Sequence, residues 1–351
     1  MALKILILGA SYGSLLGTKL LMAGHDVTLV CRQKTADLIN SEGTEVRIKL
    51  RGEDQHRSIR STGLPGRLDA CAPKDIVAAN YDLVGLAMQE PQYTHHAVHT
   101  ALIRIAERRI PCLSIMNMPP LPFLKRIPGL HADKFGSSYT DPMVWDRFDP
   151  DLMTLCSPDP QAFRPPEEKA NVLHVGLATN FKAAVFGDAK ANEILRRLED
   201  DIAAVRLDGN DVPVKLRVFE SLFVPLAKWS MLLTGNYRCI TRNEPRSIRD
   251  AVHSDLAKSK SIYEFVSDLI QRLGADPADR VPFEKYAKAA ESLLRPSSVA
   301  RAVAASVPFI ERVDILVQLI AQDLGLSNPE IDETVRIVDD RLEANVPLSS
   351  A

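Results

Sequence analysis

A glycine-containing turn near the N-terminus carries residues suited to hold an anionic ligand. The turn runs from Gly9 through Ser11 and Tyr12 to Gly13, after a strand-like segment, Lys4 to Leu8. In a strand–turn–helix unit the first helical amides can hold a pyrophosphate, and glycines let the backbone approach it. The spacing is shorter than G-x-G-x-x-G, because Ser11 takes the place of the middle glycine or one residue is deleted. We therefore predict a dinucleotide site in which Ser11 or Tyr12 narrows the approach of the phosphates.

The residues after the second predicted strand indicate which dinucleotide this turn would hold. That strand, Asp26 to Cys31, continues into Arg32-Gln33-Lys34 and has no acidic residue at its end. NAD sites normally place an acid there for the ribose 2′-hydroxyl, whereas an arginine suits a 2′-phosphate. We predict NADP as the cofactor, with Arg32 as the residue that selects it. The alternative is a solvated basic pair at the start of a helix.

Lys228, in the second half of the chain, is the clearest candidate for acid–base chemistry. A solvated lysine would be unusual in this segment because its neighbours are overwhelmingly apolar. A lysine in such surroundings needs a partner or a lowered pKa, and both are typical of functional sites. The alternative is an exposed helix lysine. The apolar neighbours are Phe223, Val224, Leu226, Ala227, Trp229, Met231, Leu232 and Leu233.

The elements that must position these residues follow the order of a doubly wound nucleotide-binding fold with helices after it. We predict a Rossmann-like α/β domain over residues 1–217 and an all-helical domain for substrate binding and dimerisation over 218–351. The first domain has predicted strands at 4–8, 26–31, 83–87, 112–116, 171–176 and 212–218, helices at 14–22, 35–40, 92–107 and 189–205, and a hairpin within 41–65. The second has predicted helices at 220–233, 247–273, 282–294, 310–325 and 331–345.

One segment has no clear predicted element. Residues 118–166 are rich in proline and aspartate, as in MPPLPFLKRIP and SPDP. We predict ordered irregular structure there and no domain boundary.

Composition narrows the class of protein. The chain has 351 residues, 46% of them hydrophobic and 25% charged, which is ordinary for a globular protein and long enough for two domains. Its formal charge of −2 gives no general attraction to nucleic acid or anionic lipid. The five cysteines are spread far apart without a C-x-x-C pair, which indicates reduced thiols in a cytoplasm and neither disulfides nor a metal site. We expect a cytoplasmic protein with no membrane partner.

The segment LGASYGSLLGTKLLMAGHDVTLVCR resembles the opening of the ketopantoate reductase (2-dehydropantoate 2-reductase) family. That family joins a Rossmann domain to a helical domain similar to that of 6-phosphogluconate dehydrogenase. Its second domain begins with a helix that carries a lysine followed at plus four and plus eight by asparagines. In this chain Lys228 and Asn236 match that motif, and Leu232 replaces the first asparagine.

Other motifs of the family are present with changes. The asparagine of its N-x-P-N stretch corresponds to Arg246, and its paired serines correspond to Ser297-Ser298. Its helix-start glutamate lies near Glu311, displaced by one residue, and Asn117 stands in place of the asparagine of its N-G turn. The lysine that usually ends the strand here reading Val84 to Ala87 is missing.

The resemblance implies an NADPH-dependent reduction of a 2-keto acid, ketopantoate or a related carboxylate, as in pantothenate biosynthesis. It implies that Lys228 is the proton donor and that Glu311 orients the lysine or the nicotinamide. For Ser298 and Glu311 the alternatives are a helix cap and a surface acid. The implied substrate-binding residues are Asn236, Arg246 and Ser298, and the implied NADP-binding residues are Gly9, Ser11, Tyr12, Gly13, Arg32 and Asn117.

The substitutions bear on the substrate. Leu232 removes an amide from the pocket, whereas Arg246 adds a cation able to grip a carboxylate with two hydrogen bonds. We predict a carboxylate substrate whose body is bulkier or more apolar than that of ketopantoate. Two alternatives stay open: an opine-dehydrogenase-like condensation of a keto acid with an amine, and a non-catalytic NADP sensor. The helical domain is a candidate surface for a homodimer.

Overall fold

The computed structural model describes residues 1–346. The chain forms two compact units. The sheet unit comprises Met1–Met88, Gln92–Arg126 and Met143–Pro225, and the helical unit comprises Gln89–Pro91, Ile127–Pro142 and the chain from Leu226 onward. The predicted boundary at 217 would divide a strand of the sheet, and the structure moves it to Pro225.

The sheet unit contains fourteen strands and five helices. The strands are β1 Lys4–Leu8, β2 Asp26–Val30, β3 Glu45–Lys49, β4 His56–Arg60, β5 Leu68–Cys71, β6 Leu83–Leu86, β7 Cys112–Ile115, β8 Met153–Ser157, β9 Gln161–Phe163, β10 Val172–Leu177, β11 Phe181–Ala184, β12 Arg206–Leu207, β13 Asn210–Asp211 and β14 Leu216–Phe219. The helices are α1 Gly13–Met22, α2 Gln33–Glu42, α3 His96–Glu107, α4 Leu121–Leu124 and α5 Ala189–Ala204.

The main sheet has eight strands in the order β14-β11-β8-β7-β6-β1-β2-β5. From β5 to β8 every pairing is parallel. Read from β5, this is the Rossmann order, in which the direction of winding reverses between β1 and β6. Strands buried on both faces need continuous apolar runs, as in the Ile-Leu-Ile-Leu of β1, where these four residues are at most 1% exposed. The predicted doubly wound fold is confirmed.

A second sheet, β4-β3-β10-β9, joins the predicted hairpin to a strand much later in the chain. β3 and β4 pair antiparallel, and β10 adds to β3 in parallel. Its buried side chains, including Val46, Ile48 and Leu173, share one apolar cluster with α1, α5 and one face of the main sheet. This second sheet therefore belongs to the core of the sheet unit.

Six strands were not predicted, namely β5, β8, β9, β11, β12 and β13. β8 lies inside the proline- and aspartate-rich segment 118–166, so the prediction of irregular structure was wrong there, although turns and short helices fill much of the remainder. The prediction of no boundary in that segment also differs from the structure, because Ile127–Pro142 groups with the helical unit. The last predicted strand is displaced, since Val214 has a φ of 64°, which interrupts extended backbone before β14.

The helical unit consists of helices and turns. Its helices are α6 Lys228–Met231, α7 Ile248–His253, α8 Leu256–Arg272, α9 Phe283–Ala290, α10 Ser298–Ala304, α11 Val313–Asp323 and α12 Pro329–Asn345. An aromatic cluster joins α8 to α9, with the rings of Tyr263 and Tyr286 stacked at 5.5 Å. The turn Ala132–Ser138 packs on α11, where Lys134 pairs with Asp323. No helix within residues 1–346 has both the length and the apolar character needed to cross a membrane.

Candidate functional site

The first part of the candidate site is the point of the main sheet where the winding reverses. In open α/β sheets, ligands bind beyond the carboxyl ends of the strands at this point. Gly9 follows β1 there with a φ of 106°, a conformation that favours glycine. A Cβ at Gly9 would lie 2.5 Å from the backbone oxygen of Ala87, which follows β6. The tight turn therefore requires a glycine.

Gly13 brings α1 close to β1. A Cβ at Gly13 would lie 2.5 Å from Cγ2 of Ile7, so helix and strand could not pack at this distance with a larger residue. The first turn of α1 has no acidic residue, and the side chain of the residue before it makes no capping hydrogen bond. Two amides of this turn donate to backbone oxygens of the glycine turn, and the helix dipole favours an anion here. Gly9 allows the tight turn and Gly13 allows α1 to pack closely on β1. No residue of the turn corresponds to the middle glycine of the dinucleotide-binding motif.

Ser11 and Tyr12 occupy the shortened part of the turn and differ in exposure. Ser11 is exposed, whereas Tyr12 is half-buried. The Tyr12 hydroxyl donates to the backbone oxygen of Pro160 at 2.7 Å, and its ring meets that of Phe181 edge-on at 5.9 Å. Burial raises the pKa of the Tyr12 phenol above its usual range. Tyr12 thus ties the glycine turn to the loop after β8.

Arg32 lies at the end of β2, as predicted, and is exposed. It precedes α2 with a φ of −64° and a ψ of 144°, and its carbonyl accepts from the amides of Thr35 and Ala36. The first turn of α2 has no acidic residue. The other predicted cofactor residue of this unit, Asn117, is half-buried and follows the carboxyl end of β7.

In the helical unit, Lys228 begins α6 and is half-buried. The helix continues through a π-helical turn, Leu232–Asn236, and the residues on either side of this turn have helical dihedral angles. Residues eight apart on an α-helix are rotated by about 80° from one another, and the extra residue in a π turn removes most of that difference. The turn therefore brings Lys228 and Asn236 to nearly the same face. Leu232 is 3% exposed, which places the apolar replacement in the core.

The π turn depends on Gly235 and Tyr286. A Cβ at Gly235 would lie 2.0 Å from the Tyr286 hydroxyl oxygen, and that hydroxyl donates to the backbone oxygen of Met231 at 3.1 Å. The tyrosine thus binds the backbone at the residue that precedes the π turn. The sequence analysis missed both residues, since no local pattern links positions this far apart. A glycine inside a helical segment was the one available signal.

The paired serines have different roles. Ser297 caps α10 by accepting from the amide of Ala300 and donates to the backbone oxygen of Asn236 at 2.6 Å. Ser298 is the first residue of α10 and is exposed. The helix cap considered for Ser298 therefore falls on Ser297, and it is Ser297 that contacts the backbone of Asn236.

Glu311 is buried at 4% exposure, two residues before α11, so it is not a surface acid. Its backbone oxygen accepts from the hydroxyl of Tyr237, which in turn accepts from the amide of Val313 at 3.0 Å. Arg312 follows with two hydrogen bonds to the buried carboxylate of Asp314. This buried network fixes the start of α11 against the residue that follows Asn236.

Arg246 is half-buried and already makes contacts within the protein. Its Nε donates to the backbone oxygen of Arg238 at 2.8 Å, and its Nη1 lies 3.5 Å from Oγ of Ser254. The side chain therefore binds a backbone carbonyl just beyond the helical segment that bears Lys228 and Asn236. That Arg246 binds the carboxylate of the substrate stays a prediction.

Several solved structures share the fold of this chain. A 2-dehydropantoate 2-reductase from Methylococcus capsulatus is 12% identical, with a TM-score of 0.67 over 99% of both chains. A D-mandelate dehydrogenase in a ternary structure with NADH and anilino(oxo)acetate is 14% identical, with a TM-score of 0.66 over 97% of this chain and 99% of that one. A dimeric ketopantoate reductase from Staphylococcus aureus is 11% identical, with a TM-score of 0.61 over 98% and 100%. At these identities the comparisons show the fold.

The fold of this chain is shared with a 2-dehydropantoate 2-reductase and a D-mandelate dehydrogenase. More narrowly, residues 5–88 match the family model of ketopantoate reductase PanE/ApbA. No curated protein matches the chain. The resemblance seen in the sequence is confirmed over this N-terminal segment, and the low identities fit a divergent relative.

Proposed function

We propose that the chain is an NADPH-dependent reductase that converts a 2-keto acid to the 2-hydroxy acid, with Lys228 as the proton donor. The observation that carries the proposal is the end of β2 beside the glycine turn. A dinucleotide turn is followed there by Arg32 and by no acid, which is the arrangement that suits a 2′-phosphate. A nicotinamide dinucleotide, when bound, supplies the hydride.

The residues of the sheet unit fit such a cofactor. Gly9 allows the tight turn beyond β1, and the N-terminal end of α1, with no acid in its first turn, offers positive potential to a pyrophosphate. Ser11 and Tyr12 would border the pyrophosphate, with Tyr12 held by its hydrogen bond to Pro160. Asn117, after β7, would serve the nicotinamide end.

The residues of the helical unit suit the proton transfer. Hydride addition to a keto carbon leaves charge on the oxygen, which needs a proton or a cation. Lys228 supplies the proton in this proposal, and Asn236 and Ser298 bind the substrate. Glu311, fixed in the network before α11, would act as a positioning residue for the lysine or the nicotinamide.

The substrate we propose is a 2-keto acid with an apolar body. The D-mandelate dehydrogenase among the structural neighbours supports this, since mandelate is a 2-hydroxy acid with a phenyl group. Arg246 is proposed to bind the carboxylate. Phenylglyoxylate and ketopantoate are therefore the two substrates to compare first.

The test begins with calorimetric titration of the purified full-length protein with NADPH and, separately, NADH. NADPH oxidation is then followed with each keto acid, with and without an added amine. Lys228→Met should lower kcat by about 100-fold or more while the NADPH Kd stays unchanged. Retention of kcat would exclude Lys228 as the donor. Failure of both dinucleotides to bind would overturn the proposed function, and binding without turnover would favour the sensor.

A further inference from the structure

Arg164 is a second guanidinium close to the end of β2. It follows β9, the edge strand of the small sheet, and is half-buried. The half-buried thiol of Cys31 lies within electrostatic reach of both Arg164 and Arg32. Burial lowers the pKa of Arg164, and the charge of Arg32 lowers it further. Pro160, just before β9, accepts a hydrogen bond from Tyr12 in the glycine turn at 2.7 Å, and the strand before that turn pairs with β2. The fold thus brings together two arginines that are distant in sequence.

Two acids that lie close in sequence to these arginines are engaged elsewhere. Glu168, four residues after Arg164, pairs with Nη1 of Arg47 at 2.5 Å. Asp37 accepts from Nε2 of Gln33 at 2.8 Å. Within residues 1–346, neither Arg32 nor Arg164 makes an ion pair or hydrogen bond with its side chain.

Two cations without an acid are unfavourable when one of them is half-buried. Such arrangements are found where a ligand supplies the missing charge. The N-terminus of α2, a helix of ten residues with no acid in its first turn, adds positive potential at the same place. All three features favour an anion beside Cys31.

We propose that Arg164 and Arg32 together bind a phosphomonoester, and that Arg164 is a residue that determines cofactor specificity. The inference rests on the proposed function, in which this phosphomonoester is the 2′-phosphate of NADPH. Planar guanidinium groups match phosphate oxygens with paired hydrogen bonds. NADH has a hydroxyl at this position, so Arg164 affects the preference between the two dinucleotides.

The experiment measures Kd by calorimetry on the full-length protein for NADPH, NADH, 2′,5′-ADP and inorganic phosphate. Arg164→Gln should raise the Kd for NADPH and 2′,5′-ADP by about 10- to 100-fold, because one charge-assisted contact is lost. The Kd for NADH should change by less than about twofold. Arg164→Lys should fall between the two, since it keeps the charge without the planar group.

Arg57→Gln is the matched control. Arg57 lies on β4 of the same small sheet and pairs with Glu53 at 2.8 Å, so its loss removes one positive charge from the sheet without touching the proposed site. It should leave all four Kd values unchanged. A thermal melt of each variant checks folding.

The outcomes separate this inference from the proposed function. An unchanged NADPH Kd in Arg164→Gln, or an equal rise for NADH, overturns the inference while the reductase proposal stands. If the wild type binds neither dinucleotide, the proposed function fails, and 2′,5′-ADP then decides the inference alone. Tight binding of 2′,5′-ADP that is lost in Arg164→Gln would support a phosphomonoester site. If inorganic phosphate binds as tightly as 2′,5′-ADP, the site binds anions in general, and the role of Arg164 in cofactor specificity is overturned.

Discussion

Lys19 offers the sharpest test of the packing in the sheet unit. It lies in α1 at 2% exposure, and its Nζ donates to the backbone oxygens of Val212 at 3.1 Å and Pro213 at 3.2 Å. Burial lowers the pKa of Lys19 to about 7, partly opposed by the charge of Asp211 and assisted by that of Lys215. The ammonium group is thus held in an apolar core by two neutral acceptors.

The direction in which pH changes the free energy of unfolding follows from the linkage between protonation and folding. Because the folded pKa lies below the unfolded value of about 10.4, the folded state disfavours the charged form, and stability falls as the pH drops through that interval. Each unit of pKa is about 1.4 kcal/mol, so between about pH 9.5 and about 7.5 the free energy of unfolding should fall by about 2.5 kcal/mol from this group alone. Below about pH 7 both states are protonated and the effect is constant.

The perturbation is Lys19→Met, measured by urea unfolding at both pH values. Tryptophan fluorescence in a Trp229→Phe background leaves Trp145 of the sheet unit as the reporter. The difference in unfolding free energy between wild type and variant should change by about 2.5 kcal/mol over that pH range. Lys49→Met, an exposed lysine on β3, is the control and should give a constant difference. Parallel pH curves for wild type and Lys19→Met would refute the reasoning.

Three further predictions concern packing, pH and substrate. Gly13→Ala should destabilise the protein by about 1–3 kcal/mol because its Cβ would meet Ile7, whereas Gly17→Ala, with 3.4 Å to its nearest neighbour, should be neutral or stabilising in thermal melts. Burial raises the pKa of Glu90 to about 6, above its usual value of about 4.3. The folded state therefore favours the neutral carboxyl, whose contribution to stability is complete below about pH 4.3 and is lost as the pH rises through about 6. Between pH 4 and pH 7, Glu90→Gln should gain about 2 kcal/mol of stability relative to wild type, and an equal difference at the two pH values would contradict this. Arg246→Ala should raise the KM of the keto acid about tenfold or more and leave the KM of NADPH nearly unchanged in steady-state kinetics, whereas equal effects would exclude carboxylate binding.

The sheet could be predicted where apolar runs were long enough. β1, β2 and β6 carry buried aliphatic runs next to turn residues, and the structure has strands at all three. β8 has equally buried residues, but the Ser-Pro-Asp-Pro that follows obscures it, and β5 and β11 are only four residues long. Short strands are fixed by their neighbours in the sheet, which a local pattern does not contain.

The candidate site was predictable only in part, for a similar reason. Gly9 and Arg32 could be placed because they follow strands directly. Lys228 and Asn236 followed from a resemblance, yet the π turn that relates them depends on Tyr286, about fifty positions along the chain. Arg164 gave no signal at all, since it is distant from Cys31 in the sequence and only the folded chain brings the two side chains within electrostatic reach.

The chain passes between its two units several times, which limits where the protein can be truncated. A truncation after Pro225 would keep Ile127–Pro142 but remove the helices with which that segment groups. Its apolar side chains, including Ile127 at 1% and Phe135 at 1% exposure, would then face water. We expect such a fragment to aggregate. During synthesis on the ribosome, more than eighty further residues must follow this segment before its partners in the helical unit are made, so its apolar side chains stay uncovered in that interval.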